Sequence, residues 1–303
     1  MQRSLLNLDE IAEYDVRVPT VVKWAGGKQS LIEQYIPFLP KKIDSYYEPF
    51  LGGASFLLFI IKNKLANKYI ANDINKDLIL TYIVIRDNLE ELLQELKQLK
   101  RNHSEEQYYK VRGLKTRKTS SLNIDDEDLV DKEELTNVER AARFVYLNKT
   151  CFNGLYRENS NGEFNVPMGS YKNPGIYHEK VFKKAAKLFK KVSLNCGQYK
   201  EITEQATKQD LIYFDPPYAP LNPTSDFTKY SKDDFNLENQ QELARLFKKL
   251  DRKGVNLMLS NSSSQVMLDL YEDYNIHMID AKRSINSNGK GRDEVKEILV
   301  TNY

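Results

Sequence analysis

The chain has 303 residues, 41% hydrophobic and 29% charged, a composition that excludes a disordered polypeptide and leaves room for a catalytic domain plus a smaller one. Its net charge of +2 argues for no polyanionic partner, although residues 97–118 hold eight Lys/Arg against two Glu, roughly +6, ahead of an acidic run at 125–134. No apolar run approaches membrane-spanning length and Met1-Gln2-Arg3 leads into no signal-peptide core, so a cytoplasmic protein without membrane contact is expected. Cys151 and Cys196 lie in separate segments and His103, His178 and His277 are scattered, so the spacing offers no metal site and the thiols are expected to be reduced.

Lys23-Trp24-Ala25-Gly26-Gly27-Lys28 opens the patterned part of the chain, followed by a predicted helix over 29–35. A helix N-terminus behind paired glycines favours a carboxylate or phosphate, but the spacing is not that of a P-loop. Trp24, the only tryptophan, is either a core anchor or a stacking surface. Residues 46–61 read as strand, glycine turn and helix, the nucleotide-binding start of a doubly wound sheet. The full G-x-G-x-x-G is missing, which favours a nucleoside ligand without pyrophosphate. Residues 69–75 form a second predicted strand ending at Asp73, placed to accept ribose hydroxyls or to cap the next helix.

From about Lys76 to Tyr177 the pattern changes. Asn88-Leu89-Glu90-Glu91 predicts a capped helix with leucines at 89, 92, 93, 96 and 99, and Thr136-Asn137-Val138-Glu139 caps another. Between them 116–134 reads as a polar loop. An Asn-Gly turn at Asn153-Gly154 and a second turn at 159–162 predict a hairpin, either a plain surface element or one that offers side chains to bases. Alternation of helix and strand then resumes: an amphipathic helix over 181–192 with a solvated lysine face, a helix over 237–250, and strands at 192–196, 211–214, 255–260, 275–280 and 295–303. The strand 211–214 ends in Asp215-Pro216-Pro217-Tyr218. Prolines cannot donate to a sheet ladder, so the backbone leaves the sheet there, with a carboxylate, free carbonyls and an aromatic ring at a strand's carboxyl end.

Taken in order, Lys23 to Lys28, Glu48-Pro49-Phe50, Asp73, Phe152-Asn153-Gly154-Leu155, Gly162-Glu163-Phe164-Asn165-Val166-Pro167 and Asp215 to Tyr218 make a known pattern. The chain resembles the Dam-type DNA adenine methyltransferases, which modify adenine in 5′-GATC-3′. The resemblance runs from about Val22 to Tyr303 and takes in Asp226-Phe227-Thr228, Ser260-Asn261 and residues 283–289. One departure is Ala54, where the family's F-x-G-x-G turn has its second glycine; an alanine there calls for a negative φ.

The resemblance implies an α/β fold of the S-adenosylmethionine-dependent methyltransferase kind, Rossmann-like, with a mostly parallel sheet and one antiparallel strand. Residues 1–76 with 178–303 would form the catalytic domain and 77–177 an inserted helical and hairpin target-recognition domain. The implied cofactor is S-adenosylmethionine, leaving S-adenosylhomocysteine. Trp24, Ala25 and Gly26 would lie along its methionine moiety, Lys28 near its carboxylate, Asp73 on the ribose, Tyr199 at the adenine and Phe50 against it backbone-first, with Gln198 and Asp215 also contacting it. Asp215 and the Pro216 carbonyl would accept the two N–H hydrogens of an extruded adenine amine and free its lone pair for in-line attack, with Tyr218 stacking on the base. Lys23, Phe152, Asn153, Leu155, Arg157, Pro167 and Tyr171 would contact double-stranded GATC DNA, Phe152 as a wedge and Arg157 at a guanine. A bacterial or phage monomer is implied. Other readings of the same motif are an amino-methyltransferase acting on cytosine, RNA or a protein glutamine, and a non-enzymatic DNA-binding protein.

Overall fold

A computed structural model describes residues 14–114, 135–159, 162–220, 235–281 and 295–303. The predicted loop and acidic run at 116–134, the centre of the 159–162 turn, Asp226-Phe227-Thr228 and residues 283–289 lie outside the described residues. Seven strands form one sheet: β1 (Ile43–Glu48), β2 (Ala66–Asp73), β3 (Val192–Cys196), β4 (Leu211–Phe214), β5 (Asn256–Ser262), β6 (Asn275–Ala281) and β7 (Val295–Thr301), in the order β3-β2-β1-β4-β5-β7-β6. The pairs from β3 across to β5 are parallel, and β7 runs antiparallel to both its neighbours. The strand order reverses between β1 and β4, and that switch point is where an open α/β sheet binds ligands.

Strand periodicity sorts the core. Tyr46 and Tyr213 turn to one face and Tyr47, Ile212 and Phe214 to the other, all buried. The four residues of β4 are buried throughout, as expected of a central parallel strand covered on both faces. On the second face packs α8 (Leu237–Arg252), through Leu243, Phe247 and Leu250. The first face takes α2 (Ser55–Lys62), α3 (Lys76–Asp87), α4 (Leu89–Arg101), α5 (Glu105–Gly113), α6 (Asn137–Thr150) and α7 (Glu179–Phe189), whose Phe56, Tyr82, Leu96, Tyr108, Phe144 and Phe182 share one buried cluster. Among the described residues no helix is long and apolar enough to cross a membrane.

Local sequence explains most boundaries. Thr136 and Glu139 make the expected capping box at α6: Glu139 N donates to Thr136 Oγ1 at 3.2 Å and Thr136 N to Glu139 Oε2 at 2.7 Å. At α4 the expected side-chain cap is absent. Asn88 ends α3 and begins α4 at φ −127° and ψ 45°, so a shared junction residue replaces the cap. The helix predicted over 29–35 is broken into a 3-10 turn, Lys28–Ser30, the single α-turn α1 (Ile32–Tyr35) and a second 3-10 turn, Ile36–Phe38, containing Pro37.

Ala54 departs from its expectation more sharply. It is the N-cap of α2 and is held at φ 58°, ψ 18°, the left-handed region. An L-residue there costs roughly 1–2 kcal/mol, and the buried turn between β1 and α2 imposes it because Ala54 N must donate to Leu51 O and Ala54 O must accept from Leu58 N. Ala54→Gly is therefore expected to raise unfolding stability by about 0.5–1 kcal/mol in urea titration; a loss of stability would show that the methyl group's burial outweighs the strain.

Candidate active site and nucleic-acid interface

The chain leaves β4 at Asp215, and three elements converge on its carboxylate. Lys28 Nζ, on a side chain 3% exposed, lies 2.8 Å from Asp215 Oδ1, and Ser260 Oγ, at the end of β5, donates to the same oxygen at 2.7 Å. Ser260 has one proton and gives it to Asp215, so the Tyr213 hydroxyl, 2.9 Å away, donates to Ser260. Among the described residues neither Asp215 Oδ2 nor the Pro216 carbonyl accepts a hydrogen bond, which leaves two acceptors side by side at the strand end. The loop that follows is tied from below. Asn261 Oδ1 accepts from Ala219 N at 3.0 Å, Asn261 Nδ2 donates to Gln240 Oε1 at 3.2 Å, and Gln240 Nε2 donates to Pro217 O at 2.8 Å. Glu48, at the end of β1, receives the Tyr46 hydroxyl at 2.5 Å; its burial drives the carboxyl well above the usual carboxylate range.

All nine residues expected at a cofactor line one cleft of about 1080 Å³ together with Pro216 and Tyr218. At one end Phe50 stacks on Tyr199 with centroids 5.0 Å apart, covering one face of the tyrosine. Gln198 is exposed beside them. Asp73, at the end of β2, accepts from Gly52 N and from Asn75 N, both at 2.9 Å, and its burial raises its pKa. It does not cap α3; Asn75 does, accepting from Leu78 N at 2.9 Å. Trp24 packs parallel to Tyr156 at 6.1 Å and Phe144 at 6.5 Å and lies against Gly52 and Gly53, so it is both core and cleft wall. Lys28, expected near a ligand carboxylate, is ion-paired to Asp215 and donates to Gly26 O at 2.5 Å.

A second cleft of about 890 Å³ adjoins the first along Trp24, Ala25, Gly27, Gly53 and Ser55. Lys23, Phe152, Asn153, Leu155 and Tyr171 line it, and Phe152 is 52% exposed, an unusual position for a phenylalanine. Lys23 is fixed by paired bonds with Asn148, N to Oδ1 and Nδ2 to O, both at 2.7 Å, and its ammonium lies 4.4 Å over the Tyr171 ring. Lys149 also lines this cleft, and burial, reinforced by the charge of Lys23, pushes it down to about 8. Arg157 and Pro167 line neither cleft; Arg157 is exposed and its Nε donates to Asn165 Oδ1 at 2.8 Å. The hairpin itself differs from the one predicted. Among the described residues its arms meet where Gly162 N donates to Asn159 O, and they pair through isolated bridges, Cys151 with Met168 and Glu158 with Phe164, and through hydrogen bonds such as Phe152 N to Pro167 O and Asn165 N to Arg157 O. Asn153-Gly154 is a kink within the first arm, with φ of 57° and 66°, because the flanking Cys151 pairs with the opposite arm and not across the kink.

Sequence reasoning assigned no role to Ser260, Asn261, Gln240, Glu297 or Lys149. Ser260 owes its place to strand order: β4 and β5 register Phe214 beside Leu259, so the next residue, Ser260, falls beside Asp215.

The comparisons with known proteins agree with this geometry. The family model of D12 class N6 adenine-specific DNA methyltransferases matches residues 24–285. The chain is 41% identical to the type II methyltransferase M.MjaIII of Methanocaldococcus jannaschii, over 95% of this chain and 100% of that protein. It is 38% identical to the type II methyltransferase M1.LlaDCHI of Lactococcus lactis subsp. cremoris, covering 93% and 94%. Identity to the DNA adenine methylase of Escherichia coli K12 is 33%, covering 92% and 93%. The family expected from the motifs is the family found: the chain belongs to the D12 class N6 adenine-specific DNA methyltransferases, enzymes whose family implies S-adenosylmethionine as methyl donor and DNA as substrate.

Proposed function

We propose that this enzyme methylates adenine in GATC within double-stranded DNA as a monomer, with residues 77–177 reading the target and residues 1–76 and 178–303 carrying out transfer. The observation that carries the reading is the junction of the two clefts along Trp24 to Ser55. It puts the exposed Phe152, with Lys23 and Leu155, next to the pocket that holds Asp215.

The residues of the larger cleft fit S-adenosylmethionine. Asp73 offers carboxylate oxygens to a ribose beside the aromatic Phe50–Tyr199 pair, and Gly26, Gly27, Gly52 and Gly53 line the cleft without side chains. When bound, the cofactor supplies an electrophilic methyl group on a sulfonium. Everything else falls to the protein. Phe152 wedges into the base stack and Asn153 holds the opened step, which lowers the cost of extruding the adenine. Asp215 Oδ2 and the Pro216 carbonyl accept the two amine hydrogens, drawing the nitrogen toward sp³ geometry and freeing its lone pair. Fixed acceptors of this kind need no reorganisation during reaction, the usual source of large electrostatic rate gains. The Tyr218 ring stacks on the base. Lys23 meets the first guanine, Leu155, Arg157 and Pro167 read base edges, and Tyr171 touches a phosphate or neighbouring base.

The test is protection of an unmethylated GATC-bearing plasmid from an endonuclease that GATC methylation blocks, after incubation with protein and S-adenosylmethionine. Protection is expected. Tritiated methyl incorporation without protection would overturn the target assignment while leaving the chemistry standing.

A further inference from the structure

Tyr218 is held from two sides. Its hydroxyl donates to Glu297 Oε2 at 2.7 Å, and the Lys28 ammonium lies 4.9 Å from the centroid of its ring. Among the described residues no aromatic ring packs against it, and it lines the cleft together with Asp215 and Pro216. Glu297 sits on β7, the antiparallel strand, opposite Ser262 of β5 and Ile279 of β6, and is followed by the fully buried Ile298, Leu299 and Val300. A carboxylate in such a run is costly unless it is paired. Burial raises its pKa, the Lys28 charge and the Tyr218 hydrogen bond lower it, and Asp215 raises it. No sheet contact requires an acid here; the partner it satisfies is the hydroxyl of the Asp-Pro-Pro-Tyr tyrosine 79 residues earlier in the chain.

We propose that Glu297 is a positioning residue for methyl transfer. By accepting the Tyr218 hydrogen bond it fixes the cleft-lining ring in the orientation that meets the extruded adenine beside Asp215. A tyrosine tethered only at its Cβ rotates about two side-chain torsions, whereas one also tethered at its hydroxyl does not. Geometry of this kind is felt at the reacting atoms even when the residue responsible never touches them. The inference rests on Tyr218 being the stacking surface for the base.

The experiment measures kcat and KM for tritiated methyl transfer to unmethylated plasmid DNA, with cofactor affinity by titration calorimetry, for Glu297→Ala, Glu297→Gln, Tyr218→Phe and the double variant Glu297→Ala/Tyr218→Phe. Losing a hydrogen bond to a half-buried carboxylate is expected to lower kcat roughly tenfold in Glu297→Ala and in Tyr218→Phe. The double variant falls no further than either single one, because both remove the same bond. Glu297→Gln, whose side-chain carbonyl still accepts from the hydroxyl, recovers most of the loss, and cofactor affinity changes less than twofold in all four. Multiplying losses in the double variant, or a cofactor affinity that falls with kcat, would overturn the proposal. Tyr218→Ala separates the two levels: full activity there would sink the stacking role itself, while a large loss there with unaltered Glu297→Ala would sink only the role of Glu297.

Discussion

Asp215→Ala lowers the rate of methyl transfer about 1000-fold, the range in which removal of a positioned catalytic acceptor falls, and also lowers folding stability. The second effect follows from Lys28. Its side chain is 3% exposed and Asp215 is its counterion, so removing the carboxylate strands a buried ammonium that keeps only the Gly26 carbonyl and the face of the Tyr218 ring. Breaking one side of a buried pair costs about 3 kcal/mol, whereas replacing both sides with neutral groups is close to neutral. Lys28→Met/Asp215→Ala is therefore expected to regain most of the stability in urea unfolding and none of the activity. Single-turnover methyl transfer and denaturation on the three proteins check this. A double variant as unstable as Asp215→Ala would mean that the loss lies elsewhere in the Asp215–Ser260–Tyr213 chain.

Gly52→Ala is expected to be the most damaging single-methyl change in the cleft, at about 3 kcal/mol of stability. Gly52 has φ 47°, and a Cβ built on it falls 2.7 Å from Trp24 Cδ1 and 2.8 Å from Nε1. The indole is packed against Tyr156 and Phe144 and against the Gly52-Gly53 turn, so relieving the clash displaces a wall shared by both clefts. The same residue donates its N–H to Asp73 and accepts the Tyr82 hydroxyl at 2.7 Å. A shift at Gly52 thus disturbs the Asp73 carboxylate, and cofactor affinity should fall by more than tenfold. Urea unfolding and calorimetric titration with S-adenosylmethionine measure the two effects. The contrast with Ala54, two residues on, is physical. Both occupy the left-handed region, but Ala54 has room for its methyl group and bears only the backbone cost.

The strands and the turn residues were legible because they follow from local rules. Apolar runs of four to eight residues, paired glycines and the proline stop after Phe214 located β1, β2 and β4 and their carboxyl ends, where the cleft residues gather. The capping box at Thr136 was legible for the same reason. What stayed hidden depends on strand order and packing. Nothing in the spacing of Lys28 and Asp215, 187 positions apart in sequence, marks them as an ion pair. Ser260 is adjacent to Asp215 only because β5 lies beside β4, and Glu297 reaches Tyr218 only because β7 is antiparallel. The Asn153-Gly154 step misled because its dihedral preference is shared by hairpin turns and by kinks inside an arm. Which of the two forms is decided by the cross-strand partner of Cys151, outside the reach of a dipeptide rule.

The most direct test of the central claim, that the Asp215 pocket transfers methyl groups to the adenine amine of DNA, is nucleoside analysis. Genomic DNA would be prepared from a host without adenine methylation that expresses either the wild-type protein or Asp215→Asn, digested to nucleosides and separated by mass. N6-methyldeoxyadenosine is expected with the wild-type protein and none above background with Asp215→Asn at equal expression. Equal amounts of the modified nucleoside in both samples would contradict the claim.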